Sequence, residues 1–210
     1  MGIIARDSDG GGMDLEILKE GIHKAVCIGM VHIGHILNTT YQKVEDKIVI
    51  IWAFPDERVE FEKDGEKTEG PRWISRMLTK SLNSKATLRA ILESWRGTTY
   101  TKEELDKGVD ISKIIRVSCL LQILHNTVGE KVYANIANVL PDQGKSDYDE
   151  VEKVYFSWED EYKGIPENIP KWIKSLIEDS SEYGDIVAGA MSDNAPDLDK
   201  ELYPDGDQPF

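Results

Sequence analysis

The chain has two cysteines in 210 residues, Cys27 and Cys119, each inside an apolar segment. A disulfide framework needs more of them and an oxidising compartment, so both read as buried free thiols. No apolar run approaches the roughly 18–20 residues of a membrane span. The opening MGIIARDSDGGG lacks the apolar h-region of a secretory leader. Myristoylation after Met1-Gly2 would call for Ser or Thr at position 6, where Arg6 stands. A cytosolic location is the expectation. Catalytic signatures are also missing: there is no GxSxG, no Walker loop and no Gly-rich phosphate turn. His32 and His35 have no CxxC, HExxH or suitably spaced acid beside them, and zinc needs three or four ligands. His23 and His125 fall inside apolar strand-like runs, where histidines are usually structural. Neither an enzyme, a metal nor a cofactor is expected.

Positive charge is scarce as well: 25 Lys and Arg face 39 Asp and Glu, a net charge of −14. That balance argues against nucleic acid as a partner until its distribution is considered. Residues 142–210 hold 19 acids and 6 bases, leaving 20 acids and 19 bases in residues 1–141. The body is close to neutral and the C-terminal third carries the charge, an asymmetry that is itself a functional hint. A catalytic carboxylate pair in a flexible acidic tail could not be held in position.

What is present is a succession of strand patterns. GIHKAVCIGMVHIG (21–34) has no helical period. KIVIIWAF (47–54) is apolar on both faces, as a central strand is. PDERVEFEKDGEKTEGP (55–71) reads as a charged loop, and RWISRMLTKSL (72–82) as a third strand. SKATLRAILESW (84–95) then switches to helical spacing, with Ser84 as N-cap and Gly97 as C-terminal cap. TKEEL carries the capping box Thr101/Glu104. RVSCLLQILH (116–125) and EKVYANIANV (130–139) form a hairpin around NTVG. The predicted fold is mainly β: a five-stranded OB-fold barrel with a helical insert between strands 3 and 4. An SH3-like barrel or an open α+β sheet are the alternatives. The expected organisation is a flexible segment 1–20, the barrel at 21–141, an acidic extension at 142–183 and a disordered acidic tail at 184–210. Within the extension, Trp172, Ile173, Leu176 and Ile177 mark one face of a short amphipathic helix starting near Pro170.

GIHKA (21–25), VIIW (49–52), LRAILESWRG (88–97), TKEEL (101–105), KVYANIANVLP (131–141) and IPKWIKSLIEDSSEY (169–183) resemble stretches of phage and prophage proteins related to single-stranded DNA-binding proteins. Strand three departs from that pattern, with Leu78 where an aromatic is expected. The last residues, DLDKELYPDGDQPF (197–210), are similar to the acidic Pro-Phe tip of bacterial single-stranded DNA-binding proteins. The resemblance implies a protein that coats exposed strands in replication or recombination. It also implies that Asp205, Asp207, Pro209 and Phe210 dock partner proteins of the replication machinery.

Binding a single strand needs cations for phosphates and flat side chains for bases. The candidates are Arg72, Trp73, Arg76 and Lys80 on strand three, Tyr41 and Lys43 after strand one, and Lys131 and Tyr133 on the last hairpin. Arg72, Arg76 and Lys80 share strand parity with Ile74, Leu78 and Leu82, which call for burial; a bulge or a rim position would reconcile the two. Trp52 and Trp95 read as core. The rival reading is an acidic interaction protein or DNA mimic occupying a basic site on a host enzyme. A mimic would spread acid over its folded surface.

Overall fold

The computed structural model describes residues 16–63, 66–142 and 148–193. Strands β1 (Gly21–Asn38), β2 (Lys43–Lys63) and β3 (Glu66–Thr79) come first. Helices α1 (Thr87–Arg96) and α2 (Lys102–Lys107) and a 3-10 turn at Ile111–Ile114 follow. Then come β4 (Ser118–Val128), β5 (Lys131–Pro141), β6 (Val154–Phe156), α3 (Lys171–Glu178) and α4 (Ser181–Asp193). The sheet order is β3-β2-β1-β4-β5, with β6 parallel to β1. Three hairpin-joined strands with the fourth returning beside the first is Greek-key order. Helices α1 and α2 lie between β3 and β4, where the sequence places them.

Two features differ from the expected five-stranded barrel. Among the described residues there are six strands; the sequence misses the sixth because the three-residue β6 is too short to stand out of an acidic segment by periodicity. Among the described residues β3 and β5 share no ladder, so the sheet stays open along that seam. The Arg76 guanidinium crosses it, donating to the Ile136 carbonyl at 2.7 Å. Helix α1 packs against both β5 and β3.

Alternation along the strands builds two cores. Ile48, Ile50, Trp52 and Phe54 of β2 face one cluster with Cys119, Leu121 and Ile123 of β4 and with Leu88, Ile91, Leu92 and Trp95 of α1. Val49, Ile51 and Ala53 face the other, with Ile173 and Ile177 of α3 and Val154 and Phe156 of β6. Strand β1 serves both, and a register shift between Cys27 and Gly29 changes which parity faces which side. Trp52 and Trp95 meet in the first cluster at 6.0 Å between ring centroids. The Trp95 indole N–H donates to the Ser118 carbonyl at 2.9 Å. Cys27 and Cys119 are buried free thiols. Burial pushes the Cys27 thiol up to about 12, and that of Cys119 further still.

Local expectations hold unevenly. The Thr101/Glu104 capping box forms, and Gly97 closes α1 in the left-handed region at φ 70°. Helix α1 starts later than Ser84: its N-cap is Ala86, and the Ser84 hydroxyl bonds to Asn83 instead. The charged stretch 55–71 is the distal half of the β2–β3 hairpin rather than a loop. Pro55 is tolerated there because it lies in the register shift between Phe54 and Arg58.

Both flanks are more tied down than the sequence suggests. Leu18 is buried in the first core, its carbonyl bonds to the His125 ring, and Arg72 donates to the Glu16 carbonyl. Residues 16–20 therefore close one end of the sheet, although the sequence reads them as part of a flexible leader. The chain continues past 183 as α4, where the sequence pattern places the end of the ordered part. In α3, Ile173 and Ile177 are buried while Trp172 is half exposed, so the apolar face is narrower than four residues. Residues 1–15 and 194–210, with Asp205, Asp207, Pro209 and Phe210, lie outside the described residues.

The extension meets the sheet most closely at Gly29. A Cβ there would lie 2.5 Å from the Val154 carbonyl oxygen. Gly29→Ala is expected to destabilise the protein by roughly 1–3 kcal/mol, as overpacking does. Urea unfolding followed by tryptophan fluorescence checks this. An unchanged midpoint would mean that β6 does not pack on β1.

Candidate nucleic-acid interface

Strand β3 is an edge strand, and its register with β2 is unbroken from Arg72 to Thr79. No bulge relieves the parity conflict, so Arg72, Ile74, Arg76 and Leu78 all turn to the core side. Each predicted cation consequently meets the protein itself. Arg72 reaches Glu16, Arg76 reaches Ile136, and Lys80 pairs with Glu159 at 2.6 Å and Asp46 at 3.4 Å. Glu159 is held below the usual carboxylate range by its hydrogen bond from Lys80. Lys80 is held above its usual range despite its burial, because Glu159 and Asp46 outweigh that cost. The opposite parity points outward: Trp73 is 41% and Met77 45% exposed.

The other predicted residues fall at two loops. The Asn38 side chain accepts from the backbone N–H of Thr40 and Tyr41, shaping a turn that leaves Tyr41 77% exposed beside exposed Lys43. On the β4–β5 hairpin, Gly129 takes φ 62° in the two-residue turn, which few other residues would accept. Lys131 and Tyr133 follow it on the surface. By register these loops are not neighbours. β4 pairs with the first residues of β1, and the Tyr41 turn follows its last. Trp73, opposite Ala53 and thence Val26, lies between them.

What the structure brings together is a groove of about 480 Å3 along the free edge of β3, running to the start of α1. Lys47, Arg76 and Lys85 line it, with Met77, Thr79 and Ser81. Among the described residues no carboxylate lines it. Lys47 bonds to Thr79 at 2.9 Å and to Glu45 at 2.9 Å. Arg76 uses one guanidinium nitrogen on Ile136 and has further donors. Lys47, Lys85 and Met77 are absent from the sequence-derived candidates. Lys47 opens a strand and Lys85 precedes a helix, and only the Lys47–Thr79 register together with the turn at 80–86 makes them neighbours.

The remaining histidines hold structure. His23 bonds to Glu57 at 2.5 Å and His32 to Asp46 at 2.7 Å. His35 clasps α4: its ring and its backbone N–H both bond to Glu182, at 2.7 and 2.8 Å. Among the described residues no group of three or more His, Cys, Asp or Glu is placed to hold a metal. No helix there is long and apolar enough to cross a membrane. No protein-family model matches this chain, and neither a curated protein nor a solved structure does.

The His35–Glu182 clasp is sensitive to pH. The hydrogen bond to Glu182 holds His35 above the usual imidazole range. Burial works to raise Glu182, but the bonds from His35 outweigh it and hold the carboxylate low. A raised histidine contributes stability below its unfolded value, near pH 6.5, and loses it as pH rises through the folded value. The lowered Glu182 contributes above its unfolded value and loses that only in acid. Amide exchange in α4, corrected for intrinsic rates, should be slower at about pH 6 than at about pH 8.5. Equal protection would show that the clasp does not titrate.

Proposed function

We propose that the protein binds single-stranded DNA, tracking the phosphates along the β3 edge groove and stacking bases on exposed side chains beside it. The observation that carries this reading is the carboxylate-free groove with Lys47, Arg76 and Lys85, on the same edge strand that exposes Trp73 and Met77. A cationic track with adjacent flat or polarisable side chains is what a single strand requires. Tyr41 with Lys43 and Tyr133 with Lys131 extend the surface at either end of β1.

The fold reading that goes with this is a partly open OB-type barrel. Greek-key order, helices between β3 and β4, and the Arg76–Ile136 bridge across the unpaired seam support it. The net charge of −14 does not oppose this function at the groove, because among the described residues no carboxylate lines it. In this reading the protein coats exposed strands during replication or recombination in a cytoplasm, that of a bacterial host if it is phage-encoded. Its role is binding rather than catalysis. The C-terminal Asp205, Asp207, Pro209 and Phe210 serve as a hook for replication or recombination proteins. Phe210 offers a ring for an apolar pocket, Pro209 lowers the ordering cost, and the acids speed encounter with a basic rim.

Titration with oligo-dT at low salt, read by tryptophan fluorescence, should give micromolar or tighter binding that weakens as salt rises. Duplex of equal length should bind far less. A chain lacking residues 203–210 should bind oligo-dT as well or slightly better, while no longer retaining replication proteins. Equal affinity for duplex, or no binding at about 50 mM salt, refutes strand binding. Retention that survives the truncation refutes the hook.

A further inference from the structure

A second cleft, of about 280 Å3, opens where the sheet, the 3-10 turn and the acidic extension meet. Met30, Ile48, Leu82, Leu88, Ile111 and Phe156 give it apolar walls, interspersed with polar His32 and Tyr155. Its charged rim holds Lys80 against Asp110 and Glu159. Lys80 is already engaged with Glu159 and Asp46. Asp110 accepts from the Ser112 backbone N–H at 3.1 Å and hydroxyl at 2.6 Å. Each carboxylate has about four lone-pair sites, so both retain acceptor capacity.

These features select a ligand class. The volume lies just under the roughly 300–1,000 Å3 of sites for drug-sized molecules, which suits one ring system. The apolar walls suit a flat face. The acceptor-rich rim repels phosphate and rewards a ring that donates hydrogen bonds. The phosphates have a place next door, because Ser81 lines both this cleft and the cationic groove.

We propose that the cleft receives one amino-bearing base of a bound strand, with cytosine the smallest that fits. Its exocyclic amine donates to Asp110 or Glu159, while the adjoining phosphates lie in the groove. The inference rests on the single-strand reading and adds a base preference to it. Thymine turns a carbonyl toward these acceptors in place of the amine, which leaves only its ring N3–H to donate. The acidic extension thereby gains a role, since Tyr155, Phe156 and Glu159 supply one wall.

Two measurements on the full-length protein test this. Deoxycytidine, added to the labelled protein, should shift the amide resonances of residues 109–112 and 155–157, and thymidine should shift them much less. Oligo-dC should bind about tenfold tighter than oligo-dT of equal length, as one hydrogen bond to a charged acceptor allows. Ser112→Trp, which narrows the mouth, should abolish that preference and leave oligo-dT affinity unchanged. If that variant does not fold, the nucleoside shifts on the unaltered chain decide. Oligo-dT binding without a deoxycytidine shift at these amides overturns the base cleft and leaves strand binding standing. Absence of binding to any oligonucleotide overturns both.

Discussion

Ten consecutive residues of β1, Ala25 to Gly34, are buried, and the rest of the structure depends on that double-sided burial. One side of the strand completes the core that β2, β4 and α1 enclose. The other completes the core under α3 and β6. Burial at roughly 25 cal/mol per Å2 of apolar surface adds to the ladder hydrogen bonds of such a strand on both of its faces. It also means that the acidic extension is part of the folded body. Arg116 reinforces the join by donating to the Tyr148 and Val151 carbonyls, and the Trp158 indole does so by donating to Ile33 at 2.9 Å.

The proposed binding surface follows from where that burial stops. Among the described residues β3 has β2 on one side and no strand on the other, so its free edge and outward parity are the surface we propose for a ligand. The inward cations are consumed in holding the seam and the ends: Arg76 to β5, Arg72 to the entering chain, Lys80 to the extension. Exposed ion pairs contribute little, but a guanidinium that satisfies a carbonyl at an open seam replaces a missing ladder bond. The same side chain can do both tasks, since five N–H donors exceed what Ile136 accepts.

Much of the architecture was legible because strand periodicity and cap chemistry are local. The two-sided apolar pattern of KIVIIWAF identified a central strand, and Thr101 with Glu104 identified a helix start. The distal β2–β3 hairpin was hidden because its residues are charged on a strand exposed to solvent. The three-residue β6 and the anchoring of residues 16–20 were hidden because both depend on tertiary packing. At the candidate site, the sequence could name Arg72, Arg76 and Lys80 but not their partners. Those partners, Glu16, Ile136 and Glu159, lie 56 to 79 residues away in the chain. Lys47 and Lys85 had no signal of their own, because only register brings them beside Arg76.

The central claim is that the β3 edge groove carries phosphates. Its most direct test is the salt dependence of oligo-dT binding for the Lys47→Ala, Lys85→Ala double variant, with urea unfolding confirming that the body remains folded. The slope of log affinity against log salt should fall in magnitude by roughly 0.7 for each phosphate that is no longer neutralised. A folded double variant with unchanged affinity and unchanged slope would contradict the account and place the strand on another face.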